Sequence, residues 1–429
     1  MNQTGKAQDK GIFFGWWIVA ACAVCISTGI GPFAFVSLGM FVIPFTEEFG
    51  WTRTEIGLSL TVLTAASAVS LPIIGRMVDH FGSRLILMPS LMSLGVCLAA
   101  IPLFVSEVWH LIAIFLIIGT LAAGTNSIPY VTVLSSWFLR KRGLAIGLAI
   151  SGVGLGYFYV PLITQYLIDN HGWRSAYYCL SVIVFFITLP LAFIFLRESP
   201  VSMGLQADGE TSEGEAPNAT RKDIGYTTGE VLRHREFWIL SSIFFVLSFV
   251  LHGLLSVMVP MLVDRGMQTS TAAAVAATEG FFVFIGRIAI GYLVDRIFAP
   301  YVAMALFSLS AIGIAMFAAG VVGSMAFLAA ILIGLSLGAE VQLLAYLTGR
   351  YFGLRTFAAT YGLLFAALLT GSALSPLAFG FSHDTTGSYV SILTVCVGIN
   401  ILAVIMTGFL GPYTDWETEG QSDTEKSTE

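Results

Sequence analysis

The chain has 429 residues, 56% of them hydrophobic and only 11% charged, against about a quarter charged in soluble domains. A mean hydropathy of +0.86, carried by repeated apolar runs of about 20 residues, excludes a soluble or disordered chain. The runs are continuous rather than alternating, which excludes a barrel and leaves membrane-spanning helices. The formal net charge of -6 comes from acids gathered in one loop and the tail, and no basic patch suggests nucleic acid.

The pattern predicts twelve spans. The first, 14–44, has no small-residue cleavage site and reads as a retained helix rather than a signal peptide. Within it Cys22 and Cys25 form a C-x-x-C, but no other Cys or His stands nearby, so they read as small thiols and not as a metal or redox pair. Spans 54–78 and 84–105 follow, joined through "GRMVDHFG". Span 108–138 carries Asn126 and Tyr130, which share a face at i, i+4. Span 142–168 carries Gly147, Gly152, Gly154 and Gly156 before Pro161. This glycine run lacks the Lys-Ser/Thr of a phosphate loop and reads as a surface for close helix packing. Span 174–197 completes the first six. Residues 198–235 are too polar to bury themselves and read as a flexible linker. The second six are 236–263, 271–294, 300–320, 324–349, 356–382 and 388–411. The expected units are therefore a six-helix bundle at 1–197, a linker at 198–235, a second six-helix bundle at 236–411 and a tail at 412–429.

Lys and Arg set the orientation. With the N-terminus in the cytoplasm, only Arg53, Arg174 and Arg265 of the 20 Lys and Arg face outward, and Arg287 falls inside a span. Both termini and the linker are thus expected on the cytoplasmic side of a cell (inner or plasma) membrane. The sequons at Asn2 and Asn218 would then escape glycosylation.

The chain repeats internally. "GRMVDHFG" after span 2 is echoed by "GYLVDR" after span 8, with Asp79 and Asp295 at the same offset. "WF", Gly147 and Pro161 around span 5 are echoed by "YF", Gly362 and Pro376 around span 11. Two six-helix halves related by a parallel repeat describe one large transporter architecture.

On these residues the sequence resembles the major facilitator superfamily. Gly75, Asp79, Gly82 and Arg84 match its signature after helix 2, with Met77 and His80 departing from it. A narrower resemblance is to the monocarboxylate transporters and the oxalate/formate exchangers. It rests on "WFLRKRGLAIGLAISG" (137–152), where an aromatic-Phe pair and a basic cluster precede Leu144, Ala145, Gly147, Ala149 and Gly152. The family's helix-1 signature survives only as "FGWW", without its acidic residue. The resemblance implies an all-α fold of two pseudo-symmetric six-helix bundles, with helices 1, 4, 7 and 10 lining a central cavity. It also implies that Asp79 with Arg76 and Arg84, and Asp295 with Arg296, hold the inward side closed as a gate, a purely topological role being the competing account.

The charges inside the spans carry the chemistry. Arg287 lies eight residues from Asp295, about 12 Å deep, where half the hydrocarbon thickness is about 15 Å. Insertion scales charge roughly 2.5–3.5 kcal/mol for Arg there, and snorkelling from that depth is hard. It must face a partner or a wet cavity, and a guanidinium fork accepts a carboxylate in bidentate fashion. In the resembled family the helix-8 Arg binds the substrate carboxylate. The competing account is an internal ion pair that only holds helices together. Glu340 lies ten residues from Arg350, about 15 Å deep. A carboxyl in a dry site can exchange a proton, so Glu340 is the first candidate for proton coupling; as a structural partner of Arg287 it would explain both charges.

His252 in span 7 could titrate near neutrality, though an interior, hydrogen-bonded His is the blander account, and Asp264 at the outer mouth is a further candidate for coupling or gating. Glu279, eight positions from Arg287, falls about 80° round the helix and off its face. Asn126 and Tyr130 of span 4 and Tyr159 of span 5 could hydrogen-bond substrate, with helix–helix contact as the alternative; Tyr157, Tyr346 and Tyr361 are similar.

The expected function is secondary transport of a small organic carboxylate with a proton, without cofactor or metal, by a chain that can work as a monomer in lipid. The single midplane Arg and the lack of a cation in span 11, which the oxalate exchangers use for a second carboxylate, favour a monocarboxylate over dicarboxylate exchange. Carboxylate antiport and export of larger amphiphilic or aromatic acids are the alternatives. No ATP motif, His pair, H-E-x-x-H or buried Ser/His/Asp set supports an enzyme.

Overall fold

The computed structural model describes residues 13–138, 141–200, 225–294, 296–353 and 355–413, without the side chains of Asp79, Arg142 and Ala358. Among the described residues twelve helices are long and apolar enough to cross a membrane. They are α1 (Phe14–Phe49), α2 (Arg53–Val78), α3 (Ser83–Phe104), α4 (Val108–Trp137), α5 (Gly143–His171), α6 (Trp173–Phe195), α7 (Arg235–Asp264), α8 (Thr269–Val294), α9 (Ala299–Ala318), α10 (Ser324–Phe352), α11 (Ala359–Thr386) and α12 (Val390–Gly408).

Local chemistry fixes the helix ends. Thr52 caps α2 through a capping box with Glu55: the Glu55 N–H donates to the Thr52 hydroxyl at 3.2 Å, and the Thr52 N–H donates back to the Glu55 carboxylate at 2.9 Å. The same device, Thr227 with Glu230, starts a single helical turn at Thr228–Val231 in the connection between halves. There the Thr227 N–H, then its hydroxyl, hold the Glu230 carboxyl below the usual range. Gly82 joins the second and third helices at a φ of 87°. The Cβ of another residue would meet there only the movable carboxylate end of Glu198, so it is the backbone conformation that calls for glycine.

Three helices are locally irregular in mid-membrane. α1 breaks at Thr28–Gly29 and resumes with a π-helical stretch, Gly31–Val36. α4 narrows to a 3-10 turn at Ala122–Thr125, and α6 holds a π stretch at Val184–Thr188. Such irregular turns recur at functional sites.

The two halves meet along two matching seams. Where α5 crosses α8, a Cβ on Gly280 would lie 2.2 Å from the Tyr157 carbonyl carbon, and one on Gly154 would lie 2.6 Å from the Phe284 nitrogen. Where α11 crosses α2, a Cβ on Gly57 would lie 2.6 Å from the Pro376 carbonyl oxygen, and one on Gly380 would lie 2.6 Å from that of Arg53. Small residues bring backbones this close when no hydrophobic force drives helices together in lipid. The pairing of fifth with eighth and eleventh with second helices is the geometric form of the internal repeat.

The core is shared unevenly. At the end away from the 198–235 connection, hereafter the far face, one continuous cluster draws on both halves and includes Phe33, Phe41, Leu254 and Met258. At the connection end it divides, and besides a small cluster of Ile74, Val78, Ile86 and Ala123 two larger ones stand apart. One cluster, around Trp137, Phe138 and Tyr130, belongs to the first half; the other, around Phe237, Leu343 and Phe352, belongs to the second. A groove of about 480 Å³ lined by Met77, Phe81, Leu85 and Leu121 lies on the outside of α2–α4 and faces lipid.

Candidate functional site

The polar groups of the membrane interior gather where α5, α7, α8 and α10 meet. Arg287 extends from α8 into the other half and donates from Nη1 to the Ile150 carbonyl oxygen of α5 at 2.9 Å. Its Nε has no hydrogen-bond partner among the described residues, and the side chain keeps partial exposure. Arg287 stands there because α8 and α10 pack through glycines: a Cβ on Gly338 would lie 2.3 Å from the Val283 carbonyl oxygen, and one on Gly286 would lie 2.6 Å from that of Leu335. This close approach sets Glu340 and Arg287 within electrostatic reach of one another.

Arg287 makes no ion pair among the described residues. Glu340 is 1% exposed, neither of its oxygens has a hydrogen-bond partner among the described residues, and its Oε2 lies 3.9 Å from His252 Nδ1. His252 sits on α7 with Nδ1 3.2 Å from both the hydroxyl and the carbonyl oxygen of Ser248. Its ring meets Phe35, on the π-helical stretch of α1, edge-on at 6.0 Å between centroids. Tyr157 of α5 is buried beside this group, with its backbone against Gly280 of α8. The arrangement can do two things chemically. A guanidinium with a free edge can hold a carboxylate, and carboxyls without partners can hold protons.

The other candidates fall elsewhere. Asn126 caps the second part of α4, its amide donating to the Ala123 carbonyl oxygen at 3.1 Å. Tyr130 is fully buried in the first half's own cluster, its hydroxyl without a partner among the described residues. The Tyr159 hydroxyl lies 3.0 Å from the Ser27 carbonyl oxygen and joins α5 to the break in α1. Asp264 is at the far face, where its Oδ1 accepts from Arg53 Nη2 at 2.9 Å and its Oδ2 lies 3.3 Å from His383 Nε2.

Of the expected gate, the Asp79 side chain and Asp295 lie outside the described residues. Arg76 is exposed. Arg84 reaches α6 of its own half, donating to the Phe193 carbonyl oxygen at 2.8 Å and covering that ring at 4.7 Å. Arg296 lies 3.6 Å over Tyr292. The sequons lie outside the described residues.

Two features were under-read in the sequence. Glu279 lies ten residues inside α8, about 15 Å from its far-face end, and is fully buried; its depth was legible from the span length, whereas its enclosure by α5 and α10 was not. The far-face network joining Arg53, Thr54, Asp264, His383 and Asp384 crosses between halves. The sequence placed Arg53 and Asp264 on the outer side, but nothing in it paired them across the halves.

Comparisons with known proteins agree with this architecture. A profile described as the Major Facilitator Superfamily matches residues 17–376. Monocarboxylate transporter 11 of Mus musculus is 26% identical over 401 residues, which cover 89% of this chain and 84% of that one. The oxalate:formate antiporter of Oxalobacter formigenes is 25% identical over 382 residues, covering 87% and 86%. Among solved structures, a bacterial homologue of the human lysosomal transporter Spinster, described as inward-facing and unoccupied, superposes with a TM-score of 0.65 at 18% identity. That match covers 92% of this chain and 97% of the other.

Proposed function

Because the chain belongs to the Major Facilitator Superfamily, we propose that this membrane transporter carries a small monocarboxylate together with a proton, by alternating access. The observation that carries the reading is the half-free guanidinium of Arg287 in mid-membrane. A cation kept there without an ion pair among the described residues needs an anionic visitor to offset its desolvation, and a carboxylate fits its fork. The printed names of the relatives, a monocarboxylate transporter and an oxalate:formate antiporter, support the same class of cargo.

In this reading Arg287 binds the carboxylate. Glu340, beside His252 and within the field of Arg287, takes the coupled proton. Arriving anion and proton together leave the site's net charge unchanged, so the loaded carrier crosses its occluded state without an added charge in low dielectric. The far face corresponds to the outside and the connection to the cytoplasm, as the Lys and Arg distribution supports. Two six-helix units divided at 198–235, rocking about the α5–α8 and α2–α11 seams, expose the site to each side in turn.

Antiport is the second reading, favoured by the named antiporter among the relatives. Against exchange of dicarboxylates stands α11, which has no Lys or Arg between Ala359 and Thr386. The test is uptake of labelled mono- and dicarboxylates into proteoliposomes, with and without an inside-alkaline gradient. Gradient-driven accumulation of a monocarboxylate is expected. Counterflow alone would establish exchange instead, and no carboxylate flux at all would end the assignment.

A further inference from the structure

Glu279 is a fully buried carboxyl whose two oxygens have no hydrogen-bond partner among the described residues. Arg287 is eight residues along the same helix, about 12 Å nearer the connection end. An ionised carboxylate in such surroundings is opposed by several kcal/mol of desolvation with nothing to offset it, whereas the neutral acid is tolerated. Glu279 makes no ion pair among the described residues, and two helices pack their backbones close to it. α10 presses its backbone on Glu279, since a Cβ on Gly334 would lie 2.4 Å from the Glu279 carbonyl oxygen. α5 presses on the next residue, Gly280, at Tyr157. The titratable group facing Glu279 from α5 is Tyr157, which also feels Arg287 on α8 and Glu340 on α10; His252 of α7 stands behind Glu340.

We propose that Glu279 is a second proton-binding site of this carrier, occupied while the far face is closed and set beside the contact of Gly280 with Tyr157 that joins the halves. Glu279 stands next to the contact between Gly280 and Tyr157, which joins the two halves and must shift when the far face opens. A carboxyl whose surroundings differ between two states holds its proton with different strength in each, and so moves protons between the two sides. The step is simple: one carboxylate oxygen takes a proton from water on one side and returns it to water on the other, with no bond of the cargo altered. Carriage of a proton by Glu279 deepens the proposed symport and rests on that reading. Its neutral state in the closed form does not.

Two measurements on the full-length protein separate these. Infrared spectra in lipid at neutral pH should show a carboxylic-acid carbonyl band that is lost in Glu279→Gln and retained in Glu340→Gln; if Glu279→Gln removes no such band, the proposal fails. In proteoliposomes with labelled pyruvate, the ratio of gradient-driven uptake to pyruvate exchange should fall at least about tenfold in Glu279→Gln. An unchanged ratio, or loss of exchange together with uptake, would show a structural or substrate-binding residue and overturn the proton site. Should the unsubstituted protein carry no pyruvate, the reading of its cargo fails while the infrared result still decides the protonation of Glu279.

Discussion

Asp384, near the end of α11, caps the start of α2 in the opposite half. Its Oδ1 accepts from the Arg53 N–H at 3.1 Å, its Oδ2 accepts from the Thr54 N–H at 2.8 Å, and the Thr54 hydroxyl donates to the same oxygen. A carboxylate at a helix N-terminus satisfies orphan donors and meets the positive end of the helix dipole. Here it also ties the halves together. Arg53 adds a contact to Asp264 of α7, its Nη2 donating to both carboxylate oxygens at 2.9 and 3.3 Å.

Breaking that cap should release the far face. Loss of an N-cap costs about 0.5–2 kcal/mol, and in Asp384→Ala this falls on the closed state alone, so the open population should rise about two- to thirtyfold. Distances between spin labels at Glu47 and Thr385 would register the change. A distribution identical to the unsubstituted protein's would show that the cap does not hold the halves.

Arg287→Lys keeps the positive charge but loses the planar fork. Uptake of the preferred monocarboxylate should drop at least about tenfold, with normal insertion and thermal stability. Near-normal uptake would separate Arg287 from cargo binding.

Glu340→Gln supplies a permanently neutral side chain of nearly the same shape. Uptake should lose its acceleration by an inside-alkaline gradient and become flat across the neutral pH range, while counterflow persists. A pH profile that keeps its slope would move coupling to another group.

Glycine at the seam should be intolerant, and a glycine in open space should not. Gly280→Ala puts a methyl 2.2 Å from Tyr157 backbone, an overpacking worth about 1–3 kcal/mol. Gly147 meets nothing within 4 Å, so Gly147→Ala should be neutral, or stabilising by up to about 1 kcal/mol through helix propensity. Melting of the purified proteins compares them directly, and equal losses would refute the seam.

The helices and their order were legible because lipid imposes one rule, that every span be long, apolar and hydrogen-bonded within itself. Arg287 and Glu340 stood out because charge is scarce in such segments. What spacing along one helix cannot reveal is which other helix lies opposite. Tyr130 was one turn from a plausible polar partner, yet it packs in the first half's own core. Tyr157 reads no differently from Tyr159 in sequence, and only the glycine contact of α8 with α5 sets its backbone against Gly280 at the seam. The far-face network joins residues more than 300 positions apart, beyond the range of any local pattern.

The core that is common to both halves at the far face, and divided at the connection end, implies where the balance point of the cycle is written. In the proposed cycle, opening the far face would wet apolar surface of the shared core, and closing the opposite end would dry apolar surface there. The resting posture therefore records the small difference between two large desolvation energies. A modest substitution of apolar side chains far from Arg287 could reverse which side the empty molecule greets, without touching the groups that hold its cargo.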